Sequence, residues 1–308
     1  MIQLIKFLMV LAASQACLAQ SVISEANQFR NDGKLEAAIE AYNADYQSNP
    51  KDWKNTYNLA CAYALTVQKD SAFHYLNIAL QDDTSLWALA DSDLYALLDD
   101  PRWQPLADAQ MERHQKKHGK LQQPEVAQQW LQVIMKDQAL DYYIDRAKGE
   151  YMKLGSIPQW YHPLGMYKAQ ITKDNYAYMQ KLIATHGWPK YSTVGDLAAD
   201  APLLVINHHE DPAVRVTYLP QIRENCLDKE GSCMEYAKIQ DRVLVDVNKP
   251  QLYGMQFRYA PDRTLEPFPI QDPDYVDQRR KEIGLVPLKD YLKRKIGYDW
   301  VVERKVRE

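Results

Sequence analysis

The sequence predicts a mainly α-helical protein: helical repeats near the N-terminus, followed by an α-helical domain that carries one β-hairpin. Three observations predict this class. The chain has 11 glycines in 308 residues, roughly half of average usage, which favours helices over turn-rich sheets. Its N-terminal part aligns with itself at a fixed offset. In the stretch QLYGMQFRY, residues 251–259, the character of the side chains alternates with a period of two, as in a β-strand.

Length and charge limit the possible function classes. A chain of 308 residues holds about two domains, each able to bury its own core. It carries 37 basic and 41 acidic residues, so there is no excess of positive charge to bind a phosphate backbone. We therefore expect no nucleic-acid partner.

The first 19 residues differ in character from the rest of the chain. Lys6 precedes the apolar run FLMVLAA, and small residues end at Ala19 in the positions that a signal peptidase reads. We interpret residues 1–19 as a signal peptide, so that the mature protein is exported to the periplasm or the extracellular space. Lipidation at Cys17 is the alternative, although the preceding residues depart from a lipobox. No later stretch approaches the roughly 20 apolar residues of a membrane helix, so we expect no transmembrane segment.

The N-terminal repeat has a period of 34 residues, which aligns Ala26 with Ala60 and Ala38 with Ala72. Small residues at these positions let two antiparallel helices cross closely, and Pro50 ends the first unit. The period and the residue pattern resemble tetratricopeptide (TPR) repeats. The resemblance implies a protein or peptide as the partner of this part of the chain.

The TPR-like helical repeat domain is predicted over residues 20–112. Residues 91–106 contain leucines at helical spacing and are interpreted as a capping layer, with peptide binding as the alternative. Residues 113–123, RHQKKHGKLQQ, are polar without an apolar period and predict the inter-domain linker. We interpret His114 and His118 as part of a solvated helix end, rather than as a metal or anion site.

The second domain is predicted over residues 124–308 and starts with an amphipathic helix at residues 126–147. A loop around Gly155 follows, and then a helix with His186 in its last turn and Gly187 at its end. Further helices are predicted over residues 192–212, 218–228 and 234–243.

A β-hairpin is predicted after these helices. VLVDV at residues 243–247 alternates like a strand, NKP makes the turn, and residues 251–259 form the return strand. One face of the return strand carries Tyr253, Met255, Phe257 and Tyr259, and the other carries Leu252, Gly254, Gln256 and Arg258. Two interpretations stay open. The hairpin is a structural brace, or Gly254, Gln256 and Arg258 line a pocket with His208 and with Tyr253 at its rim.

The C-terminal half contains a series of short motifs: KDQ, THGWP, STVG, NHH, IQDRV, PQLYGMQ and PIQDPDYVDQRRKEIGLVPLKDY. In this order they resemble the bacterial family of uncharacterised domains called DUF6624, over roughly residues 125–292. The resemblance implies the domain but no activity. Three positions depart from the family pattern, because Met255 stands for threonine, Asn207 for glutamine and Asp141 for arginine.

Polar residues of these motifs supply most of the candidate site. The catalytic candidates are His208, Asp241 and Arg242, since histidine titrates near neutrality and arginine can clamp a small anionic ligand. The candidates for ligand binding are Gln251, Tyr253, Gln256, Arg258, Asp277 and Arg280. The alternative roles are structural: His208 is a satisfied core or helix-end histidine, and the aspartates and arginines pair with each other.

Cys226 and Cys233 flank LDKEGS, which is typical of an exposed turn. An oxidising compartment permits a disulfide between them, and two free thiols are the alternative. We expect no metal, because no histidine pair lies at a zinc-ligand spacing from these cysteines. His208 and His209 are adjacent, and neighbouring side chains on a helix point about 100° apart. The two imidazoles therefore could not both face one metal ion without help from a turn. We also expect no cofactor.

Two function classes follow. The first is an exported interaction protein, with a peptide or small anionic ligand in its C-terminal domain. The second is an extracytoplasmic hydrolase-like or transferase-like enzyme that uses His208 and Asp241. Because the sequence has neither G-x-S-x-G nor H-E-x-x-H, it leaves open whether the chain is an enzyme.

Overall fold

The structure, a computed structural model, describes residues 24–302. The predicted signal peptide, residues 1–19, and Cys17 lie outside the described residues. Helices predominate in the described part, and one antiparallel hairpin accompanies them, so the predicted fold class is confirmed. No helix between residues 24 and 302 has both the length and the apolar character to cross a membrane. The chain forms two compact units, which divide between Asp82 and Asp83.

The first unit is a series of helices, each packed on the next. The helices are α1 (Glu25–Asn31), α2 (Leu35–Ser48), α3 (Trp53–Leu65) and α4 (Lys69–Ala79). Ala26, Ala38, Ala60 and Ala72 are all buried, which lets the helix axes approach closely. This agrees with the predicted helical repeat, and the assignment to TPR repeats stays a prediction.

The second unit contains the remaining described elements. Its α-helices are α5 (Trp103–His118), α6 (Pro124–Asp137), α7 (Asp141–Leu154), α8 (Tyr161–His186), α9 (Tyr191–Val194), α10 (Asp196–Ala199), α11 (Ala201–His208), α12 (Pro212–Leu227), α13 (Cys233–Asp246), α14 (Val276–Glu282) and α15 (Leu288–Ile296). The strands are β1 (Phe257–Tyr259) and β2 (Leu265–Pro267), and 3₁₀ helices span Trp87–Leu89, Ser92–Leu97 and Pro273–Tyr275.

Helix α6 is at the centre of the second unit. It packs against α5, α8, α9, α10, α11 and the first two 3₁₀ helices. Trp130, Leu131, Val133 and Met135 are completely buried along it. Because neighbours surround this helix, the side chains at its C-terminal end have fixed positions.

The predicted linker differs from the observed structure. Residues 113–118 are the last turns of α5, where basic side chains are favourable at the negative end of the helix dipole. Residues 119–123 connect α5 to α6 outside the helices. Leu94 and Leu97, from the predicted capping segment, are buried in the second unit.

The helix predicted over residues 126–147 is interrupted between α6 and α7. Leu140 adopts a left-handed conformation with a φ of 69°, which ends the α-helical path. The Lys168 ammonium on α8 donates to the Asp137 carbonyl at 2.5 Å and to the Ala139 carbonyl at 2.8 Å. A side chain from another helix therefore satisfies the carbonyls that the break leaves without helical partners.

The long helix predicted over residues 192–212 is three short ones. Gly195, with a φ of 83°, separates α9 from α10, and Pro202 lies in the first turn of α11. The helices predicted over residues 218–228 and 234–243 are confirmed within α12 and α13. The helix that ends with His186 in its last turn is also confirmed.

The strand predicted at residues 243–247 is wrong, because α13 continues to Asp246. Such a short apolar run fits a helix face as well as a strand. The hairpin lies later in the chain: Phe257 is opposite Pro267, and Tyr259 is opposite Leu265. Of the predicted return strand, only its last three residues pair in this hairpin, and the rest forms a compact loop.

Candidate functional site

A buried carboxylate orients an exposed imidazole at the end of α6. The Nδ1 atom of His208 lies 2.7 Å from Oδ2 of Asp137. The Asp137 side chain is buried, whereas 46% of the His208 side chain is exposed. Because Nδ1 is held by the carboxylate, Nε2 of the same ring is left for a ligand.

Each partner of this pair is held by its own element. Asp137 ends the central helix α6, and its carbonyl accepts a hydrogen bond from Lys168. His208 lies in the last turn of α11. The buried Arg215 on α12 donates to the His209 carbonyl at 2.7 Å and pairs with Asp246 at 2.8 Å. Arg215 therefore fixes the end of α11 that carries the imidazole.

The electrostatic environment favours the protonated form of His208. Its pKa is raised above the ordinary 6.5, chiefly by the hydrogen bond to Asp137, although burial acts in the opposite direction. The C-terminal end of a helix also attracts a cation. The imidazole is consequently a proton donor over a wider pH range than a free histidine.

His208 lines an open pocket of about 320 Å³ within the second unit. The pocket combines apolar walls, amide groups and ionisable groups. The apolar residues are Trp87, Ile134, Leu197 and Leu204, the amides are Gln138 and Asn207, and the ionisable residues are Asp200, His208, Glu235 and Lys238. Polar groups that converge beside apolar walls are typical of a site for a small molecule.

Asp200 is a second titratable group in the pocket. The Tyr191 hydroxyl donates to its oxygens at 3.1 and 3.2 Å, and the Ser232 backbone N–H donates at 3.2 Å. Burial raises the pKa of Asp200 to about 6, against the lowering effect of these donors. The carboxylate therefore changes its charge close to neutrality and is held in one orientation.

Two further groups complete the polar part of the pocket. Glu235 and Lys238, one turn apart on α13, form an ion pair at 2.5 Å. The buried Oδ1 atom of Asn207 has no hydrogen-bond partner within residues 24–302.

Asp241 lies apart from His208 and holds the loop before the hairpin. Its fully buried carboxylate accepts hydrogen bonds from the backbone N–H groups of Leu252, Tyr253 and Met255 at distances from 2.7 to 3.1 Å. Burial raises its pKa to about 6, although the three backbone donors act in the opposite direction. A carboxylate surrounded by donors in this way is structural, and its predicted catalytic role is not supported.

The two glutamines of the loop hold backbone groups as well. The Gln251 amide donates to the carbonyls of Gln256 and Phe268, and its oxygen accepts from the Gln256 N–H at 2.9 Å. The Gln256 side chain donates to the Lys238 carbonyl at 2.9 Å. This loop, residues 251–256, is called the brace loop below, because its polar side chains tie it to α13 and to Phe268, the residue after β2.

The C-terminal arginine and aspartate continue the same network. Arg280 is buried, donates to the Tyr253 carbonyl and, at 2.7 Å, to the Val286 carbonyl, and stacks on the Tyr291 ring. Burial lowers its pKa, although its charge stays with the guanidinium. Asp277 accepts from the Leu288 N–H at 2.7 Å. These contacts join backbone segments, and the predicted direct ion pairs are replaced by bonds to the main chain.

The structure does not bring the hairpin face to the pocket of His208. Gly254 has a φ of 74°, and an added Cβ would lie 2.4 Å from a Leu288 methyl group, so the glycine faces packed side chains. Arg258 is exposed and pairs with Glu266 at 2.8 Å. Tyr253 is buried. Arg242 follows Asp241 on α13 and is half-buried. None of these residues lines the pocket of His208.

The loop between α12 and α13 is closed by a disulfide. The Cys226 and Cys233 sulfurs are 2.00 Å apart, and the Cα atoms are 4.7 Å apart. Ser232 in this loop donates to Asp200, and the Glu230 carboxylate accepts from the Ser192 N–H at 2.9 Å. The disulfide loop therefore supports the segment that carries Asp200.

Sequence reasoning identified His208 but not its partners. Asp137, Gln138 and Asp200 were not selected, because each lies in a helical stretch where a polar residue is ordinary. One signal was present: the family motifs KDQ and NHH contain Asp137, Gln138, Asn207 and His208, which meet at this pocket. Asp200 had no comparable signal.

Comparison with known proteins gives one match. The model of DUF6624, a family of unknown function, matches residues 124–300, which is more than half of the chain. The match covers α6 to α15, and with them Asp137, Asp200 and His208. No curated protein and no solved structure matches the chain.

Proposed function

The chain belongs to the DUF6624 family, whose function is unknown, and we propose from its pocket that it is an acid–base catalyst for a small polar molecule. The observation that carries the proposal is the 2.7 Å hydrogen bond between His208 and the buried Asp137. A carboxylate on one ring nitrogen, with the other nitrogen at a pocket, orients a histidine for proton transfer.

The pKa values divide the acid and base roles. The bond to Asp137 raises the pKa of His208 above 6.5, whereas Asp200 titrates at about 6. Between these values the imidazole is protonated and the carboxyl is ionised, so His208 is the acid and Asp200 is the base. In a hydrolysis or group transfer, Asp200 takes a proton from the attacking hydroxyl or water, and His208 gives one to the leaving group.

The charges of the pocket favour a neutral ligand. Asp200 and Glu235 are carboxylates, and the Lys238 ammonium is already paired with Glu235. Arg258 and Arg280, the expected anion clamp, bind Glu266 and main-chain carbonyls instead. With His208 protonated and Asp200 ionised, the four ionisable lining groups carry no net charge, so the pocket has no excess of positive charge to attract a small anion.

The test is an assay of the full chain with chromogenic p-nitrophenyl esters, glycosides and phosphates, combined with thermal shift. We expect turnover of a neutral probe, with a rate that falls below about pH 6 as Asp200 is protonated. The rate also falls above the raised pKa of His208, as the acid loses its proton. His208→Gln should lower kcat/KM by about a hundredfold or more.

The matched control is His186→Gln, an exposed histidine in the last turn of α8. It should leave turnover unchanged. Equal activity of His208→Gln and the wild type would contradict the proposal. Binding of a probe without turnover, lost in His208→Gln, would instead identify a ligand-binding module.

Two further parts of the function are proposals about the partner and the location of the protein. The helix pairs of the first unit, with buried alanines 34 residues apart, support a TPR-like surface for a protein or peptide partner. The apolar N-terminal segment and the Cys226–Cys233 disulfide support export, since disulfides persist in oxidising compartments. A pull-down with residues 20–82 and fractionation of cells test these two proposals.

A further inference from the structure

Trp87 is a half-exposed tryptophan in the wall of the His208 pocket. It begins the 3₁₀ helix Trp87–Leu89, in which Ala88 and Leu89 are buried. This short helix packs against α6, so its backbone is fixed. Tryptophan is usually a highly buried residue, yet 50% of Trp87 stays exposed. A tryptophan left exposed at a pocket is a candidate for a ligand contact.

Trp87 comes from a part of the chain that the family model does not match. Ten described residues line the pocket, and nine of them lie within residues 124–300, the matched part. Trp87 is the tenth. His208 and Asp200, the groups proposed to transfer protons, are among the nine. Trp87 can therefore determine which ligand this chain accepts without taking part in the proton transfers.

The apolar side of the pocket fits a ring. The indole of Trp87 is a flat apolar surface on which another ring can stack. Leu197 and Leu204 add aliphatic wall. The volume of about 320 Å³ is at the small end of the range for ligand sites, which suits one ring rather than a long chain.

The polar side of the pocket requires a ligand that both donates and accepts hydrogen bonds. The carboxylates of Asp200 and Glu235 accept, whereas the protonated His208 and the Lys238 ammonium donate. The four ionisable groups carry no net charge together, so the ligand needs none. The Gln138 amide donates and accepts. Hydroxyl groups are neutral and do both, so a ligand with several hydroxyls matches this set.

We propose that the ligand of this pocket is a neutral pyranose sugar, and that Trp87 is the specificity-determining residue that stacks on its ring. One face of a pyranose carries C–H groups, which contact the indole, and its edge carries hydroxyls, which reach the carboxylates and the amide. An aromatic heterocycle would stack as well, but it has fewer groups that both donate and accept. The sugar assignment rests on the proposed function, because the same pocket is the site.

The experiment is calorimetric titration of the full chain with the methyl pyranosides of glucose, galactose and N-acetylglucosamine. A methoxide is a poor leaving group, so binding is measured apart from turnover. Sorbitol is the matched ligand control, because it carries hydroxyls without a ring, and adenine is an aromatic ring without hydroxyls. We expect at least one pyranoside to bind, and sorbitol and adenine to bind about tenfold or more weakly.

Trp87→Ala should weaken the binding of that pyranoside by about tenfold or more, since the stacking surface is lost. Trp87→Phe keeps a flat apolar ring and should stay within about threefold of the wild type. The matched control is Trp53→Ala, because Trp53 is 55% exposed in the first unit and does not line the pocket. This variant should bind like the wild type. Circular dichroism and melting temperatures establish that the variants are folded.

Three outcomes would overturn the proposal: none of the pyranosides binds, sorbitol or adenine binds as tightly as they do, or Trp87→Ala binds the pyranoside like the wild type. A failure of the catalytic proposal looks different. In that case Trp87→Ala still weakens pyranoside binding, but the wild type turns over no p-nitrophenyl probe. Conversely, turnover of an ester that depends on His208, without pyranoside binding, would keep the catalysis and exclude the sugar.

Discussion

The orientation of His208 depends on one buried carboxylate, Asp137. Replacing Asp137 by Asn keeps the shape and removes the charge that stabilises the imidazolium. We expect the pKa of His208 to fall in this variant, measured by NMR titration of the ring protons. Circular dichroism is the control, because it establishes that the variant is folded.

The same substitution has a stability consequence with a defined sign. Because the folded pKa of His208 is raised, its stabilising contribution is fully present below 6.5 and is lost as pH rises through the folded value. The loss of unfolding free energy in Asp137→Asn should therefore be larger at acidic than at alkaline pH. An equal loss at all pH values would contradict the pairing.

Gly254 is a second residue whose role follows from its surroundings. Gly254→Ala meets both a backbone strain at a φ of 74° and a contact of 2.4 Å with Leu288. We expect a loss of about 2–5 kcal/mol in unfolding free energy, from left-handed strain and overpacking together. Urea denaturation measures it.

The matched variant is Gly284→Ala, since Gly284 has a φ of 75° and open space where the Cβ would be. This variant should lose about 1–2 kcal/mol of unfolding free energy, from the backbone strain alone. Equal losses in the two variants would mean that the approach of Leu288 does not matter.

Among the structural elements, the brace loop explains the polar residues that sequence reasoning assigned to a ligand. Gln256→Ala removes a bond to the Lys238 carbonyl, and we expect a loss of about 1–2 kcal/mol in unfolding free energy. Gln278→Ala, on the exposed side of α14, should stay within about 0.5 kcal/mol of the wild type. If Gln256→Ala kept the stability of the wild type but lost ligand binding, the brace loop would be part of a ligand site and not a structural brace.

The elements also show which parts of the fold a sequence can predict. The C-terminal end of helix α8 was predicted, because Gly187 is a local signal, whereas the helical residues 161–173 were not predicted. The break at Leu140 was not predicted, because the carbonyls beside it accept hydrogen bonds from Lys168, which lies far along the chain. The partners of His208 and Asp241 were missed for the same reason: both contacts join residues that only the tertiary fold brings together.

For the whole molecule, the division at Asp82 and Asp83 differs from the predicted start of the second domain at residue 124. Leu94, Leu97 and Trp103 are buried in the second unit and precede that residue. A protein of residues 83–308 should therefore unfold cooperatively. A shorter protein of residues 119–308 should lose about 4 kcal/mol or more of unfolding free energy, because the truncation exposes apolar surface of α6.

Urea denaturation of both shortened proteins, monitored by circular dichroism, tests this boundary. Comparable stability of the two would show that residues 83–118 do not contribute to the core. Poor folding of residues 83–308 beside a stable full chain would instead place the boundary earlier in the sequence.

Helix α13 contributes to both the pocket and the brace loop. Lys238 presents its ammonium to the pocket and its carbonyl to Gln256, and Asp241, about one turn further on, holds the brace loop. A genetic screen that scores only loss of activity would therefore return Gln256 and Asp241 beside His208. Counting protein abundance for each variant would separate them, since the loop substitutions deplete the folded protein and the histidine substitution leaves it in the cell.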